Sequence, residues 1–269
     1  MQQTPRRRGR PKGMKSVEKS SGIQALDRAL DVLEALAARD GTTLTELADY
    51  LNQSPATMYR VLTTLQHRQY VESNPERQEW FVGPEAFRLG SAFLRSTNIV
   101  ERSRSVMRDL VVRTGETANL GIERDGHVLF VSQVETHETI RAFFPPGTRA
   151  PLHASGIGKA LLSTFDDERV EAFIKTAKLV SFTDKTVANA EQVREAIRQT
   201  RQRGYSFDDE ERTLGMRCVA ASIVNSYGEA VAGISVSGPI VRMTNTKVSE
   251  IGQLVVEAAN EVSRRLGGG

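Results

Sequence analysis

The chain of 269 residues has one cysteine, Cys218, which excludes an intrachain disulfide and any thiolate metal cluster built within one chain. A lone cysteine in such a sequence reads as a small buried apolar residue. Long apolar runs are missing as well. No window approaches the roughly 18 uninterrupted apolar residues of a membrane helix, and no apolar stretch follows the basic start as it would in a secretory signal. The expectation is a cytoplasmic protein. Histidine is scarce: His67, His127, His137 and His153 are scattered without zinc spacing or the makings of a catalytic triad.

What is present is ordinary globular composition, 39% hydrophobic and 26% charged, over a length that suits two compact domains. The net charge of +3 is unevenly spread. Residues 1–19 hold seven Lys or Arg against Glu18 alone, so the remaining body is slightly acidic. A basic tail on a near-neutral body points to an anionic polymer as partner.

Residues 1–20 carry no hydrophobic period and read as a disordered basic arm. Within it Arg8-Gly9-Arg10-Pro11 has the form of an AT-hook, in which Arg8 and Arg10 would enter a narrow A·T minor groove. Residues 21–83 then read as a winged helix-turn-helix. Ile23, Leu26, Leu30, Leu33, Leu36 and Ala37 make the stripe of a first helix over 23–38. A second helix over 44–51 is capped by Thr43 with Glu46 completing a capping box, and Asn52-Gln53 makes the turn. A third helix starts at Ser54-Pro55 and keeps Met58, Val61, Leu62 and Leu65 on one face. Two short strands, 70–72 and 79–82, flank the turn residues 73–76 and form a wing.

A helical segment runs from Pro84 to about Thr114, its first part, 84–98, linking the domains. Residues 99–269 have a different character. Strands are expected at 118–122, 128–134, 139–144, 217–225 and 230–237, and helices at 157–165, 167–175, 191–203 and 246–266. This is an α+β pattern on a mixed or antiparallel sheet.

In a helix-turn-helix the start of the second helix faces base edges, and here Ser54, Ala56, Thr57, Tyr59 and Arg60 occupy it. Arg60 can donate to guanine or phosphate, Ser54 and Thr57 to phosphate or base. Residues 20–97 hold 7 basic against 10 acidic residues, so affinity for double-stranded DNA should lean on the arm and on dimerisation and fall steeply with salt.

Four further motifs follow in order: Leu152-His153-Ala154-Ser155-Gly156-Ile157-Gly158-Lys159-Ala160, the run Arg203 through Glu211, the run Leu214 through Ala220, and Ile234-Ser235-Val236-Ser237-Gly238-Pro239. With Arg8-Gly9-Arg10-Pro11 and Leu44-Thr45-Glu46-Leu47-Ala48, they closely resemble the IclR family of bacterial regulators over essentially the whole chain. Within that family the chain looks most like the acetate-operon and allantoin-pathway repressors, whose effector domains bind glyoxylate and, in the former, pyruvate. The resemblance implies a GAF-like effector domain, a dimer or dimer of dimers, no cofactor, and a pocket at positions matching Gly156, Ile157, Asp208, Cys218, Ser235 and Ser237, with Met216 and Ala142 beside them.

Physical chemistry agrees with that set. Free amides where the glycine-rich turn opens a helix suit a carboxylate, and the hydroxyls of Ser235 and Ser237, two apart on one strand, share a face. Asp208 beside an anion must accept from a hydrated aldehyde or hydroxyl, or be protonated itself. Where those repressors carry alanine in the turn this chain has Ile157, while two of their apolar positions are only Ala142 and Ala150, so a slightly different 2-oxo acid also fits.

Two other classes can be weighed. Gly156-Ile157-Gly158-Lys159 suggests a phosphate loop, but a Walker A would need glycine at His153 and a hydroxyl residue at Ala160. The acidic run 208–211 lacks clustered His or Cys partners for a metal and reads as a solvated turn. An enzyme is therefore not expected. A purely architectural DNA-binding protein would leave the large C-terminal domain unexplained.

Overall fold

The computed structural model describes residues 23–267, with the side chains of 93–97 left aside. The AT-hook residues Arg8 and Arg10 lie outside the described residues. The chain divides into two compact units between Phe93 and Leu94.

The first unit contains α1 (Gln24–Ala37), β1 (Thr42–Thr43), α2 (Leu44–Tyr50), α3 (Pro55–His67), β2 (Val71–Asn74) and β3 (Glu79–Val82), followed by α4 (Pro84–Thr97), which spans the boundary. Local chemistry sets these limits. Thr43 accepts from the Glu46 amide at 3.3 Å while the Glu46 carboxylate accepts from the Thr43 amide at 2.9 Å, the expected capping box. Ser54 accepts from the Thr57 amide at 3.2 Å, and Pro55 takes the first helical position, where no amide is needed. Asn52, with φ 50°, makes the turn between α2 and α3 in a conformation asparagine tolerates. The wing is a three-stranded antiparallel sheet in the order β1-β3-β2, two residues of it contributed from before α2.

The core here is Val32, Ala35, Leu36, Leu47, Met58, Leu62 and Val71. The apolar stripe of the first helix does not all enter it. Ile23, Leu26 and Leu30 remain 70%, 55% and 49% exposed, because the hollow between α1 and α3 is lined by Ala25, Arg28 and Ala29 instead.

The second unit's first whole helix is α5 (Ile99–Thr114), separated from α4 by Asn98 in a left-handed conformation (φ 51°), so the helical segment expected over 84–114 is two helices, divided where the linker was expected to end. There follow β4 (Thr117–Arg124), β5 (His127–Val134), β6 (Arg149–Pro151), a 3-10 turn (Leu152–Ala154), α6 (Gly156–Leu162), α7 (Asp167–Thr176), α8 (Ala190–Arg203), β7 (Ser206–Asp209), β8 (Met216–Val224), β9 (Ala230–Pro239) and α9 (Asn245–Arg265).

The six strands pair antiparallel throughout in the order β6-β5-β4-β9-β8-β7. No strand forms over 139–144. The Pro145-Pro146 pair that follows offers no amides to a ladder, Gly147 turns at φ 96°, and β6 takes the sheet edge in its place.

Strand alternation divides the residues between two faces. Leu120, Val219, Ala221, Ile234 and Val236 pack with Met107, Leu110, Val255 and Val262 from α5 and α9. The opposite face meets α6, where Val128, Ala150, Ile157, Leu161, Val193 and Ile197 form a second core.

Candidate functional site

On the α6 side of the sheet, register gathers polar side chains that lie far apart in sequence. Asp208 pairs with Cys218, and Cys218 with Ser237; on the next rung of the same face Ala220 pairs with Ser235, and Ser235 with Asn119. Two adjacent rungs thus present a carboxyl, a thiol, two hydroxyls and an amide. Asn119 Nδ2 donates to Ser237 Oγ at 3.3 Å and to Ser235 Oγ at 3.5 Å, and its carbonyl accepts from Gln133 Nε2 at 2.9 Å. With their oxygens accepting from Asn119, the two serines keep their own protons to donate elsewhere.

These residues wall a cavity with an empty volume of about 460 Å³, open solvent at its mouth included. Gly156, Ile157, Asp208, Met216, Cys218, Ser235 and Ser237 all line it. Ala142, although buried, is not among the lining residues. It precedes Phe144, whose ring instead reaches the cavity and stacks on Phe130 with centroids 5.1 Å apart. Because 139–144 is a loop and not a strand, strand alternation does not govern which of its side chains turns inward.

Close approach of α6 to the sheet requires its glycines. A Cβ on Gly156 would come within 2.6 Å of Cys218 Sγ, and one on Gly158 within 2.2 Å of the Leu152 carbonyl oxygen. Ser155 caps the helix by accepting from the Gly158 amide at 3.1 Å, which leaves the first two amides, Gly156 and Ile157, with no carbonyl of the helix to bond. The larger residue in the turn finds its room over the sheet: Ile157 Cγ2 would lie 2.7 Å from a Cβ on Gly233, and Ile157 Cδ1 3.3 Å from one on Gly121.

The acidic run is not a solvated turn, since Asp208 and Glu211 are only 9% and 5% exposed. Glu211 is ion-paired with the equally buried Lys159, whose ammonium also donates to the Phe207 carbonyl at 2.5 Å. Burial pushes the Glu211 carboxyl up to about 7, against the pull of Lys159. Asp208 Oδ1 accepts from the Glu211 amide at 2.9 Å. Burial raises the Asp208 carboxyl above the usual carboxylate range, and Lys159 and that amide pull it back. Burial and the neighbouring Asp208 charge push the Cys218 thiol up to about 11, so it sits in the wall as a neutral thiol. Among the described residues no group of three or more His, Cys, Asp or Glu side chains could hold a metal ion.

Some of the wall was not legible as such. Phe130, Phe144, Ala154 and Arg212 line the cavity without belonging to the expected set, and Asn119 stands behind the serines. Asn119 had a signal, an amide in the middle of an otherwise apolar strand. Arg212 had none, since it follows four acidic residues in what reads as surface.

In the first unit Ser54, Ala56, Tyr59 and Arg60 are exposed along the start of α3 and Thr57 is half-buried, while Met58 and Leu62 turn into the core. The hydroxyls of Ser54 and Thr57 hydrogen-bond each other at 2.8 Å, so part of their capacity is used by the cap itself. Among the described residues, no helix is long and apolar enough to cross a membrane.

Comparison with known proteins bears on both units. Residues 25–75 match the family model for the IclR helix-turn-helix domain, and residues 91–264 that for the C-terminal part of the bacterial transcriptional regulator IclR. The chain is 53% identical to the HTH-type transcriptional regulator BhcR of Paracoccus denitrificans over 96% of its own length and 94% of that protein. It is 38% identical to the transcriptional repressor IclR of Escherichia coli over 98% and 97% of the two chains. The crystal structure of Thermotoga maritima IclR superposes with a TM-score of 0.77 at 26% identity, covering 91% of this chain and 99% of that one. These relatives are transcriptional regulators and not enzymes. With family models matched in both units and kinship along nearly its whole length, the chain belongs to the IclR family of DNA-binding bacterial transcriptional regulators.

Proposed function

We propose that this regulator is a repressor whose hold on its operator is modulated by a small 2-oxo carboxylate, glyoxylate, held in the cavity of the second unit. The observation that carries the reading is the convergence on one cavity of the hydroxyls of Ser235 and Ser237, whose oxygens accept from Asn119, and of the start of α6 at Gly156 and Ile157, whose amides have no helix carbonyl to bond. That donor set suits a carboxylate. Asp208, its carboxyl raised by burial, then faces the second functional group: protonated, it donates to a carbonyl; ionised, it accepts from a hydrated aldehyde. The stacked Phe130 and Phe144 and the alanines at 150 and 154 exclude water from the rest, as expected for a GAF-like sensor.

At the other end, α3 enters the major groove with Ser54, Ala56, Thr57, Tyr59 and Arg60, the arm places Arg8 and Arg10 in the adjacent minor groove, and the protein acts in the cytoplasm as a dimer or dimer of dimers.

The test is operator binding by fluorescence anisotropy on DNA from upstream of its own gene, with and without glyoxylate or pyruvate, for the natural protein and the Ser235→Ala/Ser237→Ala double variant. The expected outcome is a ligand-dependent change in operator affinity that the double variant loses while its affinity for free operator stays the same. A double variant that still responds removes the serines from the site, and calorimetry without heat for either acid removes the sensor reading.

A further inference from the structure

Arg212 lies on the turn between β7 and β8 and lines the same cavity. Its guanidinium is half engaged. Nη2 donates to the Arg149 carbonyl at 3.2 Å, while Nη1 is buried and, among the described residues, meets no acceptor. Hydrogen bonds between side chains and backbone fix the turn that carries it: the Glu210 carbonyl accepts from Thr183 Oγ1 at 2.8 Å, the Glu211 carbonyl from Thr186 Oγ1 at 2.5 Å, and Glu210 Oε2 from the Gly215 amide at 2.7 Å. A guanidinium edge left unmatched on a pinned turn is an offer to something absent from the chain.

The other cations nearby are already committed. Lys159 is held by Glu211 and the Phe207 carbonyl. Arg217 donates to Asp209 at 2.6 Å and to the Met243 carbonyl at 2.8 Å. Apolar walls at Phe130, Phe144 and Ala150 lower the local dielectric and strengthen whatever charge pairing the free edge makes.

We infer that Arg212 is the counter-ion of the ligand and fixes the charge this cavity accepts: one carboxylate, not two and not none. This rests on the ligand reading above and adds to it a residue and a selection rule. The rule follows from the cavity's own charges. Arg212 and Asp208 line the same cavity and attract each other, and an entering monoanion takes up the free guanidinium edge; a second carboxylate on the ligand would meet the Asp208 carboxyl with no cation left to answer it. A neutral analogue can offer Nη1 a carbonyl oxygen but no charge, and so only the weaker, uncharged hydrogen bond.

The experiment uses the full chain and four probes, glyoxylate, acetate, its neutral isostere acetamide, and oxalate, by calorimetry and thermal shift. The natural protein should bind glyoxylate and acetate in preference to acetamide and oxalate. Arg212→Gln, which removes the charge and keeps an amide donor, should weaken both monoanions on the order of tenfold to a hundredfold, as expected for loss of a charged hydrogen bond. The weakening should be confined to the anions and leave any acetamide binding unmoved, which a merely structural role for Arg212 would not give. Arg212→Lys should fall between.

Glyoxylate binding equally tight in Arg212→Gln overturns the inference and leaves the sensor reading intact. Acetate binding that depends on Arg212, with no binding of glyoxylate, upholds the inference and removes the 2-oxo acid. Should the glutamine variant fail to fold, the natural protein decides alone: acetamide or oxalate bound as well as acetate overturns the inference, as does binding of none of the four.

Discussion

The start of α3 and the wall of the cavity both present polar groups to a partner, but they do so under opposite constraints. Tyr59 and Arg60 stand in solvent, and the backbone beneath them would be the same helix with other side chains. Ser235, Asp208 and Lys159 are buried, so each must be matched by a neighbour before any ligand arrives. On the exposed helix, recognition and stability separate. In the cavity they are one network, and disturbing recognition there disturbs the fold.

The sharpest way to break that contrast is Lys159→Met. It removes the cation that answers both Glu211 and Asp208 and leaves two carboxyls buried together. Loss of one partner of a buried pair costs about 3 to 5 kcal/mol, and the loss should fall on the second unit alone. Trp80, the single tryptophan, sits in β3 and reports the first unit by fluorescence, while helix ellipticity reports both. In urea the ellipticity transition should shift to lower concentration while the tryptophan transition stays. Transitions that move together would show that the two networks are coupled in stability.

A second test uses pH. The folded Glu211 carboxyl titrates near 7 against an ordinary value of 4.5, so between those values the folded state keeps a proton that the unfolded chain has released. Stability from this group is therefore greatest below about 4.5 and falls as pH rises through 7, by roughly 3 kcal/mol across the window. Exposed carboxylates held low by arginine, such as Glu195 beside Arg198, act in the opposite sense, so the quantity to measure is the difference between the natural protein and Glu211→Gln. The variant should gain relative stability from pH 5 to pH 8. A pH-independent difference would remove the buried carboxyl as a source of the dependence.

The same contrast explains what could be read beforehand. The helix-turn-helix was legible because its signals are local: Thr43 with Glu46, Ser54 before Pro55, Asn52 in the turn. Most elements of the second unit were legible too, apart from the short edges β6 and β7, which lack a run long enough to show a period, and the loop over 139–144, which reads as a strand and is not one. The cavity is different. Asp208, Cys218, Ser237 and Asn119 meet only through strand register across more than 100 residues, and periodicity says nothing about which strands are neighbours. The grouping of Asp208, Cys218 and Ser237 came from motif likeness, which did not reach Asn119 and failed where this chain departs from the motif. Ala142 was carried over by position and does not line the cavity, whereas Arg212, absent from the motif, does. The first helix shows the converse limit, since a stripe at helical spacing records amphipathicity and not what covers it.

The smallest expected effect tests the exposed side of the contrast. Arg60→Ala should cost about 1 to 3 kcal/mol of operator affinity, the range for a side chain reaching a base edge. Its side chain is exposed and the helix beneath it is held by Met58, Leu62 and Leu65, so urea stability should stay within about 0.5 kcal/mol of the natural protein. Salt separates its two possible partners. If Arg60 neutralises a phosphate, the alanine variant lowers the slope of log affinity against log salt by about 1, equally on every sequence; if it reads a base, the slope is unchanged and only the specific operator is bound more weakly. The base-edge role predicts the second pattern. Affinity for operator unchanged in Arg60→Ala would mean that α3 does not read DNA through this residue, and a loss of stability instead would place Arg60 in the same kind of network as Lys159 and dissolve the distinction between the two units.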